Sequence, residues 1–337
     1  MSKTRSHRIQ CTGTLTQKDI YEAIIAFKND HPDIFWIKNT FSYYDYDGST
    51  YVELFYISSG TTLETQKEKF NEALNNFVNN ATMYSSEYER EKYVNDYIIS
   101  NCAYDDEAAY NNNTKGNVST AYGVLVDGKA ICEGYARAFQ LLCNKLGIEC
   151  VSIAGMTGDV GHEWNCAKID GNWYQVDVTW NDSQDDFSNY YYFNLTDEQM
   201  YSSHRADDLF DEIEPDNYNN DENLIGNLYV PECNSTEYNY YNQTAPILYA
   251  FDEENDNTIS NALANSAVNG DNYFNIIVDD SLDFEDAYST LVQDGYVVNY
   301  IESANNMLWG EVELDTSSYA YKNDTLRVIT IVLNYIN

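Results

Sequence analysis

The sequence has few basic residues, and this shortage restricts the class of partner that the protein can bind. It contains 18 lysines and arginines against 55 aspartates and glutamates, which gives a formal net charge of −37. Such a charge repels phosphate groups, so nucleic acids and anionic membrane surfaces are not expected partners. It suits a protein that meets cationic groups such as amines.

Metal and disulfide signatures are also missing. The cysteines are odd in number and include no C-x-x-C pair, so a disulfide framework is not expected. Four histidines and the lack of an H-E-x-x-H motif argue against a zinc enzyme. We therefore expect no metal and no other cofactor. The seven cysteines are Cys11, Cys102, Cys132, Cys143, Cys150, Cys166 and Cys233.

Long apolar runs are absent as well. The existing ones are short, for example residues 328–333, so no segment is predicted to span a bilayer. The N-terminal sequence MSKTRSHRIQ has no apolar stretch behind it, so we predict that the sequence as given carries no signal peptide. We expect a secreted or cell-surface protein whose signal has been removed, with a cytoplasmic location as the alternative.

The chain is long enough for two or three domains, since 337 residues exceed a typical single core. Changes in composition and pattern predict an α/β segment over 1–85, a catalytic core over 86–205, a polar linker over 206–245 and a small α+β domain over 246–337. The linker is rich in Asp, Asn, Glu and Tyr.

Hydrophobic periodicity and turn signals predict the individual elements. Predicted helices span 14–30 (capped at Thr16), 62–80, 86–100, 132–146 and 283–293. Predicted strands span 34–43, 51–58, 149–154, 163–169, 173–180, 190–195, 274–278, 295–301 and 325–335. A helix followed by an antiparallel meander indicates an α+β core.

Cys132, in the stretch GKAICEGYARAFQLL, opens one of the predicted helices. The unpaired N–H groups and the dipole of a helix N-terminus favour a thiolate there, and the Cys132 backbone N–H can donate to an oxyanion. The alternative is a small apolar residue in the core, because most cysteines are buried for packing.

A histidine and an aspartate follow in GHEWNCAKIDGNWYQVDVTW. The Asp170-Gly171 pair is a two-residue hairpin signal, which would place Ile169 opposite Asn172. With side chains alternating between the two faces, His162 and Asp177 lie diagonally on one face, at about 7–8 Å between Cα atoms. This spacing is consistent with an Asp–His hydrogen bond.

These three residue types belong together chemically. A cysteine attacks a carbonyl as its thiolate, which a neighbouring imidazole stabilises. The same imidazole then protonates the leaving amine, while a carboxylate holds the ring in one orientation.

The sequence resembles the transglutaminase-like superfamily, in the bacterial branch related to cysteine proteases. The resemblance covers roughly residues 86–205. Its motifs are YGVLVDGKAICEGYARAFQLLCNKLGIEC and GHEWNCAKIDGNWYQVDVTWND, with weaker matches in EREKYVNDYIISNCAYD and YYYFNLTDEQMYSSH. The resemblance implies an α+β, papain-like core in which a central helix packs against an antiparallel sheet.

The resemblance also assigns roles. The nucleophile falls on Cys132, the base on His162 and the orienting carboxylate on Asp177. The family's oxyanion side chain is an aromatic residue upstream of the cysteine, and Tyr122 is our candidate for it. Trp164 is expected to support the site by shielding the His–Asp pair from water. His204 also matches the family and is interpreted as structural.

We therefore expect a cysteine enzyme that acts on amide bonds through a thioester. Hydrolysis of a peptide or isopeptide bond in a protein, peptide or cell-wall peptide is favoured, and acyl transfer to an amine is the second reaction considered. The alternative is a cell-surface binding module that keeps the fold with an idle triad.

Overall fold

The computed structural model describes residues 6–111, 116–183, 185–210, 226–310 and 312–336, with the side chain of Asn39 left out. The helices are α1 (Gln17–Asp30), α2 (Thr61–Ala81), α3 (Glu87–Asn101), α4 (Asp106–Tyr110), α5 (Cys132–Lys145), α6 (Val178–Asn181), α7 (Asp197–Met200), α8 (Tyr240–Thr244), α9 (Glu253–Asn269), α10 (Phe284–Tyr288) and α11 (Val297–Leu308). The strands are β1 (Ser6–Thr12), β2 (Ile37–Tyr46), β3 (Ser49–Tyr56), β4 (Ala103–Tyr104), β5 (Lys129–Ala130), β6 (Glu149–Thr157), β7 (Val160–Ile169), β8 (Asn172–Val176), β9 (His204–Ala206), β10 (Ile247–Leu248), β11 (Tyr273–Val278), β12 (Ala320–Asn323) and β13 (Val328–Val332).

The chain forms two compact units. The first comprises the described residues of 1–184 and 195–235, and the second those of 185–194 and 236–337. The four-part division expected from the sequence stays a prediction, and residues 211–225 of the expected linker lie outside the described residues.

The N-terminal segment of the first unit forms as its local sequence dictates. Thr16 caps α1 by accepting from the Asp19 N–H, and the Asp19 side chain accepts from the Thr16 N–H. Strands β2 and β3 form a hairpin whose turn residues, Asp47 and Gly48, both have positive φ, and β1 completes a sheet of order β1-β3-β2.

The centre of the first unit is a mixed helix and sheet core, as the α+β prediction required. Helix α5 is buried along most of its length and packs against an antiparallel sheet of order β8-β7-β6-β9. The β7–β8 hairpin turns at Asp170 and Gly171, both with positive φ, and places Ile169 opposite Asn172 as predicted.

Two strand predictions for the stretch 173–195 are wrong. The predicted strand 173–180 ends at Val176, because the Asp177 side chain accepts backbone N–H groups and starts α6. The predicted strand 190–195 consists of turns that end at Asn194, whose φ is 57°, and β9 supplies the fourth strand of the sheet instead.

The second unit packs helices on a sheet of order β10-β11-β13-β12. Its strand over 273–278 was predicted, but the strand predicted over 295–301 is wrong. Residues 297–301 belong to α11 instead. The buried side chains of this helix recur at helical spacing in Val297, Tyr300, Ile301, Ala304 and Leu308. Helix α9 was not predicted.

No helix in the described part of the chain is long and apolar enough to cross a membrane.

Gly155 provides a test of how tightly the central sheet is packed. It pairs with His162 across β6 and β7, and a Cβ atom there would lie 2.2 Å from the Arg205 carbonyl oxygen and 2.6 Å from the Trp164 ring. We predict that Gly155→Ala lowers the free energy of unfolding by about 1–3 kcal/mol, measured by urea denaturation.

Gly161 is the matched control for this substitution. It lies on the neighbouring strand opposite Met156, and a Cβ atom there would meet nothing within 4 Å. Gly161→Ala is expected to change the free energy of unfolding by less than about 0.5 kcal/mol. Equal losses for the two variants would contradict the packing argument.

Candidate active site

Cys132 is the first residue of α5. The preceding residue, Ile131, is extended and provides no side-chain cap, so the backbone N–H groups of the first helical turn have no capping side chain. The Cys132 side chain is partly exposed, whereas the helix behind it is buried. The sequence therefore places a thiol at the positive end of a buried helix dipole, as predicted.

His162 lies on β7, and Asp177 directly follows β8, the other strand of the predicted hairpin. Their side chains meet, with 2.6 Å between His162 Nε2 and Asp177 Oδ2. The β7–β8 ladder stops at the pair of Asn165 and Val176, so the contact forms just beyond the paired region, where Asp177 turns into α6.

The Asp177 carboxylate is fully buried and fully engaged. Its Oδ1 accepts from the backbone N–H groups of Thr179 and Trp180, at 2.9 and 3.1 Å. Its Oδ2 is also 3.0 Å from His204 Nε2. Burial alone would raise the pKa of Asp177, but the charge and hydrogen bond of His162, with those of His204, hold it well below its usual range.

The pKa of His162 shifts in the opposite direction, upwards. Burial disfavours the charged ring, but Asp177 outweighs burial through its charge and hydrogen bond, and the Cys132 side chain adds a further hydrogen bond. Together these raise the pKa of His162 from 6.5 to about 10. Since Nε2 faces Asp177, Nδ1 is the ring nitrogen left to face the sulfur.

His204 is part of this network, which the sequence did not predict. Its ring is buried, with Nε2 on Asp177 and Nδ1 at 2.8 Å from the Ser203 hydroxyl. The residue was interpreted as structural, and its position shows which group it supports. A signal was available, because the stretch that contains it belongs to the resemblance.

Tryptophan side chains enclose the two histidines. The ring of Trp164 stacks on His162 at 6.2 Å between centroids, and its N–H donates to Gln175 at 2.7 Å. Trp180 lies 6.1 Å from His162 and 4.6 Å from His204, again between centroids. The role of Trp164 in shielding the His–Asp pair from water stays a prediction.

The oxyanion candidate of the sequence lies in an aromatic cluster. Tyr122 is buried, with ring centroids 4.6 Å from Phe35 and 6.1 Å from Phe70, and its role stays a prediction. The aromatic residue that the structure places beside Cys132 is Tyr104. Burial, with the nearby Cys132 side chain, raises the pKa of Tyr104 to about 12, although a hydrogen bond from the Cys132 backbone opposes this.

The N-terminal segment contacts α5 directly. Lys28 Nζ on α1 lies 3.1 Å from Oε1 of Glu133, the residue that follows Cys132. One residue further, Asn29 accepts a hydrogen bond from the buried Arg137 at 2.6 Å. The first turns of α5 are thus held from both sides, by α1 and by the sheet.

Three side chains of the site are of the types that bind metal ions in proteins. The side chains of His162, Asp177 and His204 offer donor atoms within 4.8 Å of one another, which would suit zinc or iron. The same atoms are engaged in the two His–Asp hydrogen bonds, so binding an ion would require breaking them.

Comparison with known proteins gives a match over part of the chain. Residues 75–178 are similar to the family described as Transglutaminase-like superfamily. The range includes Cys132, His162 and Asp177.

Individual relatives are distant. The chain is 28% identical over 167 residues to "Kyphoscoliosis peptidase" of Mus musculus, a match that covers 46% of this chain and 24% of that protein. It is 27% identical over 146 residues to the Homo sapiens protein of that name, covering 40% and 22%. The matches thus span about a quarter of the length of these relatives.

A solved structure described as "Crystal structure of a TGase" is 18% identical. The match covers 54% of this chain and 53% of the chain in that structure, with a TM-score of 0.31.

The raised pKa of His162 predicts how the stability of the fold depends on pH. The protonated ring stabilises the folded state fully below the unfolded pKa of 6.5, and this contribution is lost as pH rises towards about 10. We predict that His162→Gln loses stability relative to the natural chain below pH 6.5, and that the difference shrinks between pH 6.5 and 10. Each unit of raised pKa corresponds to about 1.4 kcal/mol.

Urea unfolding across this pH range measures the difference. His7→Gln is the control, because His7 is exposed on β1 and its substitution should leave the curve parallel to that of the natural chain. A His162→Gln difference that is constant with pH would contradict the charged ring.

The contact between Lys28 and Glu133 predicts that a residue other than His162 and Asp177 affects the reactivity of Cys132. Removing the Lys28 charge leaves the Glu133 carboxylate less compensated beside the thiol, and a like charge disfavours the thiolate. We predict that Lys28→Met slows iodoacetamide alkylation of Cys132 near neutral pH by roughly three-fold. Adding Glu133→Gln should restore the rate, and a double variant as slow as the single one would rule out charge as the cause.

Proposed function

We propose that this chain is a cysteine-nucleophile enzyme that acts on amide bonds through a thioester. The observation that carries the proposal is that one ring, His162, contacts the Cys132 side chain on one edge and a buried carboxylate on the other. This is the geometry that a nucleophile, a base and an orienting group require.

In the acylation step, the Cys132 thiolate attacks the amide carbonyl carbon. The oxyanion that forms lies near the first turn of α5, whose N–H groups have no capping side chain and can stabilise it. Nδ1 of the His162 imidazolium then gives its proton to the leaving nitrogen, the C–N bond breaks and the thioester remains. Asp177 holds the ring in the tautomer that keeps Nδ1 towards the sulfur.

In the second step, neutral His162 takes a proton from the acceptor, which attacks the thioester carbonyl. The C–S bond breaks, and the sulfur leaves as the thiolate while His162 holds the proton. With water as the acceptor the product is a carboxylic acid, and with an amine it is a new amide. We favour hydrolysis of a peptide or isopeptide bond, which the peptidase names of the matched relatives support.

The proposed substrate is therefore a protein or peptide, including a cell-wall peptide. The proposed location is outside the cell or on its surface, where such substrates occur. The strongly acidic chain supports a substrate or acceptor that carries cationic groups.

A non-catalytic binding module is the second candidate. It would need no reactive thiol, and nothing would maintain a buried His–Asp pair beside a cysteine. That pair is costly to bury unless its hydrogen bonds are complete, as they are for the Asp177 carboxylate. The intact geometry therefore favours the enzyme.

Selective alkylation tests the nucleophile. Cys132 and Cys11 are both partly exposed, whereas the other five cysteines are buried. We predict that iodoacetamide at pH 6 modifies Cys132 at least ~10-fold faster than Cys11, since only Cys132 has a helix start and an imidazolium ion beside it. Peptide mapping by mass spectrometry gives both rates in one sample, and equal rates would contradict the proposal.

Analysis of the reaction products tests the proposed thioester chemistry. Incubation of the full chain with denatured protein substrate and a fluorescent primary amine should give new peptide ends for hydrolysis, or labelled substrate for acyl transfer. Both products should disappear in Cys132→Ala. A product that persists in this variant would exclude the thioester route.

A further inference from the structure

The second unit contains a concave cleft that the proposed chemistry does not use. The cleft has a volume of about 420 Å³, and its lining residues all come from 185–194 and 236–337. This is within the size range of ligand sites in proteins. The part of its lining used below consists of Asp186, Phe187, Tyr190, Tyr240, Asp271 and Tyr273.

Aromatic rings form the walls of the cleft. Tyr190 and Tyr240 stack with 3.8 Å between centroids, and Phe187 stacks on Tyr321 at 4.1 Å. Phe187 also meets Tyr273 edge to face at 5.8 Å. The stacks fix the ring planes, so the cleft presents rigid apolar walls with polar hydroxyl groups.

Carboxylates lie at the rim. Asp186 and Asp271 line the cleft and are exposed, and no basic residue is among its lining. The unit as a whole has 19 aspartates and glutamates, with Lys322 and Arg327 as its basic residues.

Both of those basic side chains are already paired. Lys322 contacts Glu285 and Asp324, and Arg327 contacts Asp280 and donates to backbone carbonyl groups. The field at the cleft is therefore negative without a local cation to offset it.

We propose that this cleft binds lysine or arginine side chains of a polypeptide. Such a side chain has an apolar stem and a cationic end, and the cleft offers aromatic walls with carboxylates at the rim. The stem packs against the rings, and the cation lies over a ring face or against Asp186 or Asp271. A neutral sugar would also stack on the rings and donate hydroxyl hydrogen bonds to the carboxylates, but it would gain no attraction between opposite charges.

The proposal does not rest on the thioester chemistry. It adds a binding function to the second unit, and it is tested in the full chain carrying Cys132→Ala so that no turnover interferes. The probe is a short fluorescent peptide of alternating lysine and serine, with the same peptide bearing acetylated lysines as the neutral control. Binding is measured by fluorescence anisotropy at about 0.15 M salt, where long-range attraction is largely screened.

Two double variants with equal charge changes separate the cleft from the general field. Asp186→Asn with Asp271→Asn removes two charges at the rim. Asp294→Asn with Glu302→Gln removes two charges from exposed positions of the same unit that do not line the cleft. We expect the rim pair to weaken binding about five-fold and the control pair to change it by less than about two-fold.

The aromatic walls are tested by Phe187→Leu, with thermal unfolding by circular dichroism to confirm that the variant is folded. Weakening of about three-fold or more is expected. Equal losses in the two double variants, or equal binding of the acetylated peptide, would overturn the proposal. Cleft-dependent binding of chitotetraose without binding of the lysine peptide would overturn it in favour of a carbohydrate site.

Discussion

The carboxylate of Asp177 is the group on which the candidate active site depends. A buried anion is tolerated only where hydrogen bonds replace its lost hydration. Two backbone N–H groups satisfy one oxygen, and two histidine rings satisfy the other. The anion in turn raises the pKa of His162, and the Cys132 side chain interacts with the same ring. The charges of Asp177 and His162 are therefore set together.

The same arrangement requires the sheet and α5 to keep a fixed distance, and a buried amide links them. The Asn165 side chain on β7 donates to the carbonyl oxygens of Ala136 on α5 and Val151 on β6, at 3.1 and 3.3 Å. Both acceptors are within the core, where a lost hydrogen bond is costly. A buried amide thus links the helix that carries Cys132 to the strand that carries His162, although 30 residues of sequence separate these two residues.

Local signals predicted the parts of the fold that local physics controls. The Thr16 cap, the Asp170-Gly171 turn and the register of the β7–β8 hairpin follow from neighbouring residues, and they place His162 and Asp177 together. The strand predicted over 295–301 was wrong because a short apolar run does not distinguish a strand from a buried helix, and the buried Val297, Tyr300 and Ile301 follow the helical spacing. His204 belonged to the family resemblance, but its contact with Asp177 could not be derived from the sequence. The contributions of Tyr104 and Lys28 could not be derived either, because each depends on a contact between segments far apart in the chain.

The hairpin that joins His162 to Asp177 also limits how this segment can change over evolutionary time. Its turn is two residues long, and side chains alternate between the faces along both arms. An insertion or deletion of one codon in either arm would send one of the two side chains to the opposite face of the sheet. A two-residue change in one arm would keep both side chains on one face but would displace one of them by about 7 Å along its strand. Only equal changes in both arms, or changes outside them, preserve the pair, so the two arms must change length together whatever happens to the identity of their other residues.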